Sequence, residues 1–150
     1  MKKLLEGIVE FRKKKRPAYR ERFAHLALGQ SPDCLVFACS DSRVVPNVFA
    51  STQPGDLFVV RNVGNLVPPW VSGDGGASGS EAAAVDFAVD VLGVRDIVVC
   101  GHSECGAMRT LMSGGVGPDH PGLDAWPRVP LSRGPWLADD DAPGLGISLP

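Results

Sequence analysis

The sequence predicts an α/β fold, a parallel β-sheet core flanked by helices, on three observations. Three short apolar runs lack the alternation of a half-solvated strand, each is followed at once by polar residues, and a helical segment separates the second run from the third. Strands buried on both faces read as unbroken apolar runs, and strands that alternate with helices pair in parallel. In such sheets ligands bind outside the carboxyl ends of the strands, so the polar residues closing each run are where chemistry is expected.

The elements follow in chain order. Met1–Phe11 interleaves Leu4, Leu5, Ile8 and Val9 with Glu6 and Glu10. This is helical amphipathicity, not the continuous apolar core of an export signal. The basic run Lys13–Arg16 belongs on a solvated helix face or turn. The first strand is Cys34–Cys39, which runs into Ser40-Asp41-Ser42-Arg43. The second, Leu57–Val60, is entered through the turn Pro54-Gly55-Asp56 and left through Arg61-Asn62, and the third, Ile97–Cys100, is left through Gly101-His102. Between them Glu81–Leu92 is expected to be helical, with Ser78 and Glu81 spaced as a capping box and Gly93 as the stop. Its apolar stripe is Val85, Val89 and Leu92, flanked by Phe87 and Ala88. A short helix over about Cys105–Met112 follows the third strand. From Gly114 onward glycine and proline recur every few residues, so residues 114–150 are expected to be an atypical tail on a domain spanning 1–113 and not a separate domain.

With 150 residues the chain is expected to form one domain. A net charge of −2 provides no global positive field for nucleic acid, and no stretch reaches membrane-spanning length. The expected compartment is the cytoplasm, where cysteines are more often ligands, nucleophiles or packing residues than disulfides. Cys34 and Cys100 lie inside apolar runs and read as packing, and His25 and His120 lack partners at metal-binding spacing. Gly73–Gly79 is glycine-rich, but it does not follow a strand and lacks Gly-x-Gly-x-x-Gly, which argues against a dinucleotide site.

Cys39 ends one predicted strand and His102 and Cys105 follow the end of another, so the fold brings all three to one sheet edge. Cys105 also stands at a helix start, where the helix N-terminus favours thiolate over thiol. Two thiolates and an imidazole suit tetrahedral zinc, and three protein ligands leave a fourth position open for chemistry. Taken alone, His-x-x-Cys is a weak signal, and a single buried cysteine is more often packing than ligand.

The surrounding residues narrow this. Cys39-Ser40-Asp41-Ser42-Arg43, Arg61-Asn62-Val63-Gly64-Asn65 and Gly101-His102-Ser103-Glu104-Cys105-Gly106, in this order and spacing, resemble the β-carbonic anhydrase family over about Gly29 to Met112. The resemblance implies a zinc ion (Zn2+) on Cys39, His102 and Cys105 and reversible hydration of carbon dioxide to bicarbonate and a proton. It implies an Asp41–Arg43 pair in which Asp41 orients the metal-bound nucleophile, or, with the pair broken, becomes a fourth zinc ligand in a closed state. Thiolates donate more charge than imidazoles, so activity is expected at somewhat higher pH than with three histidines. The substrate slot implied by the family is lined by Phe58, Val63 and Phe87, with Gly106 permitting close backbone approach, and Gln30 reaches substrate across a homodimer interface. For Phe58 and Phe87 ordinary core packing is an equal expectation. Val36 stands where a bicarbonate-inhibited subclass carries tryptophan, so the water-open form is expected. Relatives on this scaffold also hydrolyse carbon disulfide or carbonyl sulfide, and a zinc-binding relic without turnover is a further alternative. The family's C-terminal edge strand and helices are not legible in 114–150, where Pro127–Pro150 reads as an unrelated, frameshifted continuation.

Overall fold

In the computed structural model, residues 1–67, 79–114, 117 and 119–126 are described. The most apolar run becomes the middle of the sheet. Strand β1 (Cys34–Cys39) lies between β2 (Leu57–Asn62) and β3 (Asp96–Cys100), giving the order β2-β1-β3 among the described residues. Both pairings are parallel, with Cys39 opposite Asn62 and Ala38 opposite Cys100. Having a neighbour on each side and helices on both faces, Leu35 and Phe37 are fully buried.

Two apolar clusters form, one on each side of the sheet. Leu35 and Phe37 pack with Ala88 and Val94, and Phe58, Val60, Val85 and Leu92 close around them. The helix that supplies this layer is α4 (Ser80–Asp86), continued by a π-helical turn over Phe87–Val91 and stopped at Gly93 in the left-handed region. On the other side Val36, Ala38, Cys39, Val44 and Cys105 pack together, joined by Cys34, Leu57, Cys100, Ala107 and Met108. Here the cover is α5 (Gly106–Met112), while α3 (Pro46–Phe49) follows Val44. Cys34 and Cys100 are thus packing residues, and burial, with Asp33 and Asp96 nearby, pushes the Cys34 thiol up from its ordinary value.

The N-terminal region is helical in four pieces: α1 (Lys2–Glu10), a π-helical turn (Phe11–Lys15), a 3-10 turn (Arg16–Tyr19) and α2 (Arg20–Leu26). Pro17, which has no N–H to donate, sits at the start of the 3-10 piece. The run Lys13–Arg16 is solvent-exposed, as expected. Leu4, Leu5, Ile8 and Val9 are exposed as well, so the apolar face of α1 finds no cover among the described residues. Contact with the sheet is made through α2. Arg22 pairs with Asp56 and donates to the Pro54 carbonyl, and Leu26 lies so close to Gly55 (φ +98°) that a Cβ there would sit 2.5 Å from its Cδ2.

Three expectations are corrected. β3 is not buried: as the edge strand it leaves Ile97, Val98 and Val99 about half exposed on this chain. Val89 is also exposed. The hydrogen bond from Leu92 N–H to the Phe87 carbonyl spans five residues, so the wider π turn rotates Val89 away and aims Ala88 at the core. The cap also differs: the N-cap position is Gly79, with no side-chain cap among the described residues, and Glu81 is turned inward and buried. Ser78 and most of the glycine-rich segment lie outside the described residues, as does 127–150. The short helix α6 (Pro121–Ala125) falls inside the expected tail.

Because Leu35 is fully buried and Val91 is 65% exposed, their truncations should separate clearly. Leu35→Ala is expected to cost about 2–5 kcal/mol. Val91→Ala is expected to stay within about 0.5 kcal/mol. Urea denaturation midpoints measure both.

Candidate metal centre and active site

The parallel register sets the site. β1 ends at Cys39, and its neighbour β3 ends one residue short of that level, at Cys100 opposite Ala38. Two residues further on, the chain reaches His102. Glu104 then adopts the left-handed region (φ +53°), and this sharp turn sets Cys105 immediately before α5. A non-glycine residue in that conformation is uncommon and needs holding. The Glu104 carbonyl accepts from Arg43 Nη2 at 3.1 Å, and the Glu104 carboxylate pairs with Arg109 at 3.1 Å.

The expected cluster is present. One ligand atom from each of Cys39, His102 and Cys105 lies within 4.8 Å of the other two. The sulfurs of Cys39 and Cys105 are 3.9 Å apart. Two zinc–sulfur bonds of about 2.3 Å at a tetrahedral angle require about 3.8 Å. The Cys39, Cys105 and His102 side chains are each less than a tenth exposed. His102 Nε2 is buried with no hydrogen-bond partner. A buried polar atom without a partner is costly, and a cation between it and the two sulfurs would satisfy it. The three residues are therefore able to hold a metal.

Burial alone would raise the Cys39 thiol pKa. The Asp41 backbone N–H, which donates to the sulfur at 3.4 Å, and the neighbouring His102, Gly64 and Cys105 outweigh it, and the net direction is downward. Donors aimed at a sulfur favour its anionic form.

Asp41 and Arg43 form the expected pair. Arg43 Nε and Nη2 donate to Asp41 Oδ1 and Oδ2 at 2.9 and 2.8 Å, and the Arg43 backbone N–H donates to Oδ1 at 3.0 Å. These hydrogen bonds hold the Asp41 carboxyl well below the usual carboxylate range and raise Arg43. Asp41 Oδ2 stands 4.0 Å from His102 Nε2, directly beside the metal-binding cluster.

The remaining expected residues distribute unevenly. Val63 follows directly on the strand end that pairs with Cys39. Phe58 and Phe87 pack against one another at 5.9 Å, on the Leu35 and Phe37 side of the sheet. Phe58 is four residues before Asn62, about 13 Å along the strand from the level of Cys39. Gln30 is exposed and precedes β1, at the sheet end opposite Cys39. Among the described residues nothing lies within 4 Å of a Cβ built on Gly106, whereas at Gly64 (φ +84°) a Cβ would sit 3.1 Å from Ala107 Cβ.

Four contacts around the site went unassigned in the sequence. Arg61 donates to the Cys39 carbonyl at 3.1 and 3.0 Å and to the Asp41 carbonyl at 2.8 Å, gripping the loop that carries the pair. Its place at the carboxyl end of β2 was the available signal. Asn62 and Glu81 form a buried hydrogen bond at 3.0 Å. Trp126 Nε1, from the residue after α6, donates to the Val63 carbonyl at 2.6 Å, and no pattern in the sequence announces that contact.

A family model described as carbonic anhydrase matches residues 34–129. The chain belongs to the β-carbonic anhydrase family. A carbonic anhydrase from Synechococcus elongatus is 46% identical over 112 residues, covering 75% of this chain and 40% of that protein. One from Pseudomonas aeruginosa is 45% identical over 126 residues, covering 84% and 56%. Among solved structures, the β-carbonic anhydrase CcaA superposes with a TM-score of 0.78 at 41% identity, covering 86% of this chain and 56% of that one. One of two tetrameric β-carbonic anhydrases from Sordaria macrospora gives 0.68 at 36% identity, covering 83% and 59%. The chain spans about half the length of these β-carbonic anhydrases. The family match continues through α6 and Trp126, beyond residue 113.

Gly64→Ala combines a left-handed backbone with a crowded Cβ, whereas Gly106→Ala meets open space. The first should destabilise the chain by about 1–3 kcal/mol. The second should be near neutral in the same denaturant titration.

Proposed function

We propose that this chain carries the active site of a zinc enzyme that interconverts carbon dioxide and bicarbonate. The observation that supports this reading is the buried Cys39–His102–Cys105 cluster beside an intact Asp41–Arg43 pair. When bound, zinc supplies a Lewis acid that brings the pKa of water from 15.7 down to about 7.

The chain's own residues do the rest. Cys39 and Cys105 contribute two sulfur donors and His102 contributes Nε2. Both Asp41 oxygens are committed to Arg43, so the carboxylate stays ionised at neutral pH and serves as a hydrogen-bond acceptor that orients the attacking water. A carboxylate with so little proton affinity does not store the released proton, which passes to solvent or buffer. Carbon dioxide is small, apolar and uncharged, so it needs an apolar slot beside the nucleophile and no charged clamp. Val63 stands at the right sheet edge for that slot. The intact pair corresponds to the open arrangement, with Asp41 as fourth ligand reserved for a closed one.

Gln30, Phe58 and Phe87 are away from this chain's own cluster, and the apolar face of α1 is uncovered among the described residues. A homodimer or larger homo-oligomer would serve both facts, bringing these residues to a neighbouring copy's slot and covering α1. Tetrameric relatives support that assembly. Gly106, open on its outer side, would admit substrate or a neighbouring backbone. Among the described residues no helix is long and apolar enough to cross a membrane. Cys34, Cys39, Cys100 and Cys105 are all free, which suits the reducing cytoplasm.

Two experiments test this reading. Zinc content and carbon dioxide hydration are measured together on the full chain, with carbon disulfide and carbonyl sulfide as competing substrates. Cys105→Ser should lose the metal and most activity, whereas Asp41→Ala and Arg43→Ala should each keep the metal and lose more than about tenfold in rate. Stoichiometric zinc without hydration would identify an inactive relic, and zinc retained in a Cys39/Cys105 double variant would remove the ligand assignment. For assembly, sedimentation of the full chain should give a dimer or larger, and deletion of residues 1–11 should weaken it. An active monomer unchanged by the deletion would refute the shared site.

A further inference from the structure

The loop after β2 is built around one buried side chain. Asn62 Oδ1 accepts the Leu66 backbone N–H at 2.9 Å, and Asn62 Nδ2 donates to the Leu66 carbonyl at 2.7 Å. One amide group therefore ties both ends of the segment 62–66. Inside it Gly64 and Asn65 both hold left-handed conformations (φ +84° and +46°), and Leu66 is buried. The same Asn62 Nδ2 donates to Glu81 Oε1 at 3.0 Å. Glu81, in the first turn of α4, is 7% exposed, and its other oxygen accepts from Ser80 Oγ at 3.1 Å. Meanwhile the Asn62 backbone carbonyl receives the Ser40 N–H at 2.8 Å, directly after Cys39.

The segment lies against the elements that carry the metal cluster. Gly64 is pressed against Ala107 and Met108 of α5, the helix that starts directly after Cys105, while the Asn62 carbonyl holds the residue that follows Cys39. Two consecutive left-handed residues are an uncommon conformation that persists only where the surroundings over-determine it. The Asn62 side chain and the Glu81 carboxyl provide that determination from beneath.

We infer that Glu81 and Asn62 are positioning residues for the metal centre, holding the 62–66 loop seated between the end of the Cys39 strand and the first turn of α5 after Cys105. Groups packed around metal ligands fix the direction in which those ligands are presented and so tune the affinity for the metal. Glu81 thereby makes the placement of α4 a determinant of how Cys39 is presented, although it touches none of the three ligands. The effect on the metal rests on the zinc reading, and the effect on the loop does not.

The test uses the full chain and three variants: Glu81→Ala, which removes the acceptor; Glu81→Gln, which keeps an oxygen in its place; and Val85→Ala, a packing control on the same helix. Amide exchange is followed at Leu66, whose N–H donates to Asn62 Oδ1, and at Val36, the latter reporting global opening. The expected result is that Leu66 protection relative to Val36 falls at least about tenfold in Glu81→Ala, recovers in Glu81→Gln and is unchanged in Val85→Ala. With cobalt as spectroscopic metal, Glu81→Ala should shift the sulfur-to-cobalt absorption and weaken zinc binding about 10- to 100-fold. An unchanged Leu66 ratio in Glu81→Ala overturns the inference. So does an equal fall in Val85→Ala, which would assign the effect to the packing of α4, or an equal fall in Glu81→Gln, which would show that the acceptor oxygen does not hold the loop. If the unaltered chain gives no sulfur-to-cobalt absorption, the metal reading fails, while the Leu66 ratio still decides the role of Glu81.

Discussion

The pairing of β1 with a parallel neighbour on each side is the constraint from which the site follows. Parallel ladders hold their registers through evenly spaced backbone hydrogen bonds, and these registers put Asn62 level with Cys39 and Cys100 level with Ala38. A slip of one residue would turn every side chain of a strand to the other face. In β1 it would drive Leu35 and Phe37 into the layer that holds Val36 and Ala38, and move the Cys39 sulfur away from Cys105. The fit of the two buried faces and the placement of Cys39 at the strand end are thus enforced by the same hydrogen bonds.

Much of this was legible because it depends on local pattern. Unbroken apolar runs marked β1, β2 and β3, and the polar residues after them marked the sheet edge where Cys39, Asp41, Arg43, His102 and Cys105 converge. What was illegible depends on contacts across the fold. Whether Ile97, Val98 and Val99 are buried is decided by what lies beside β3, which their own sequence does not encode. The inward turn of Glu81 depends on a buried amide on another element, whereas its spacing from Ser78 suggested a local cap. Val89 followed helical periodicity faithfully, and the π turn shifted the phase beneath it. Gly106 and Gly64 illustrate the same limit: both adjoin the site, and only the backbone geometry shows which of them is crowded.

The outer surroundings of the cluster are mostly backbone atoms held by arginines and amides. Arg61 grips the Cys39 and Asp41 carbonyls, Arg43 reaches the Glu104 carbonyl, and Trp126 holds the Val63 carbonyl. Planar guanidinium groups suit this task because each presents several donors in a fixed fork. Three loops from three strand ends are joined by these contacts, so a side chain in any one of them affects the others. Trp126, directly after α6, thus reaches the loop beside the site, and the family likeness covers the same part of the chain.

The order β2-β1-β3 also has a consequence for how the protein is made. The central strand is the first of the three to leave the ribosome, and Cys39 is separated from Cys105 by 66 residues. At about 5–20 residues per second, translation takes about 3–13 s to cover that distance. During this interval the most apolar strand of the chain has at best one partner, and its sulfur has no companion with which to hold a metal. The three residues able to hold a metal are therefore together only after β3 and α5 have emerged, when the last of these three strands completes both the described sheet and the cluster.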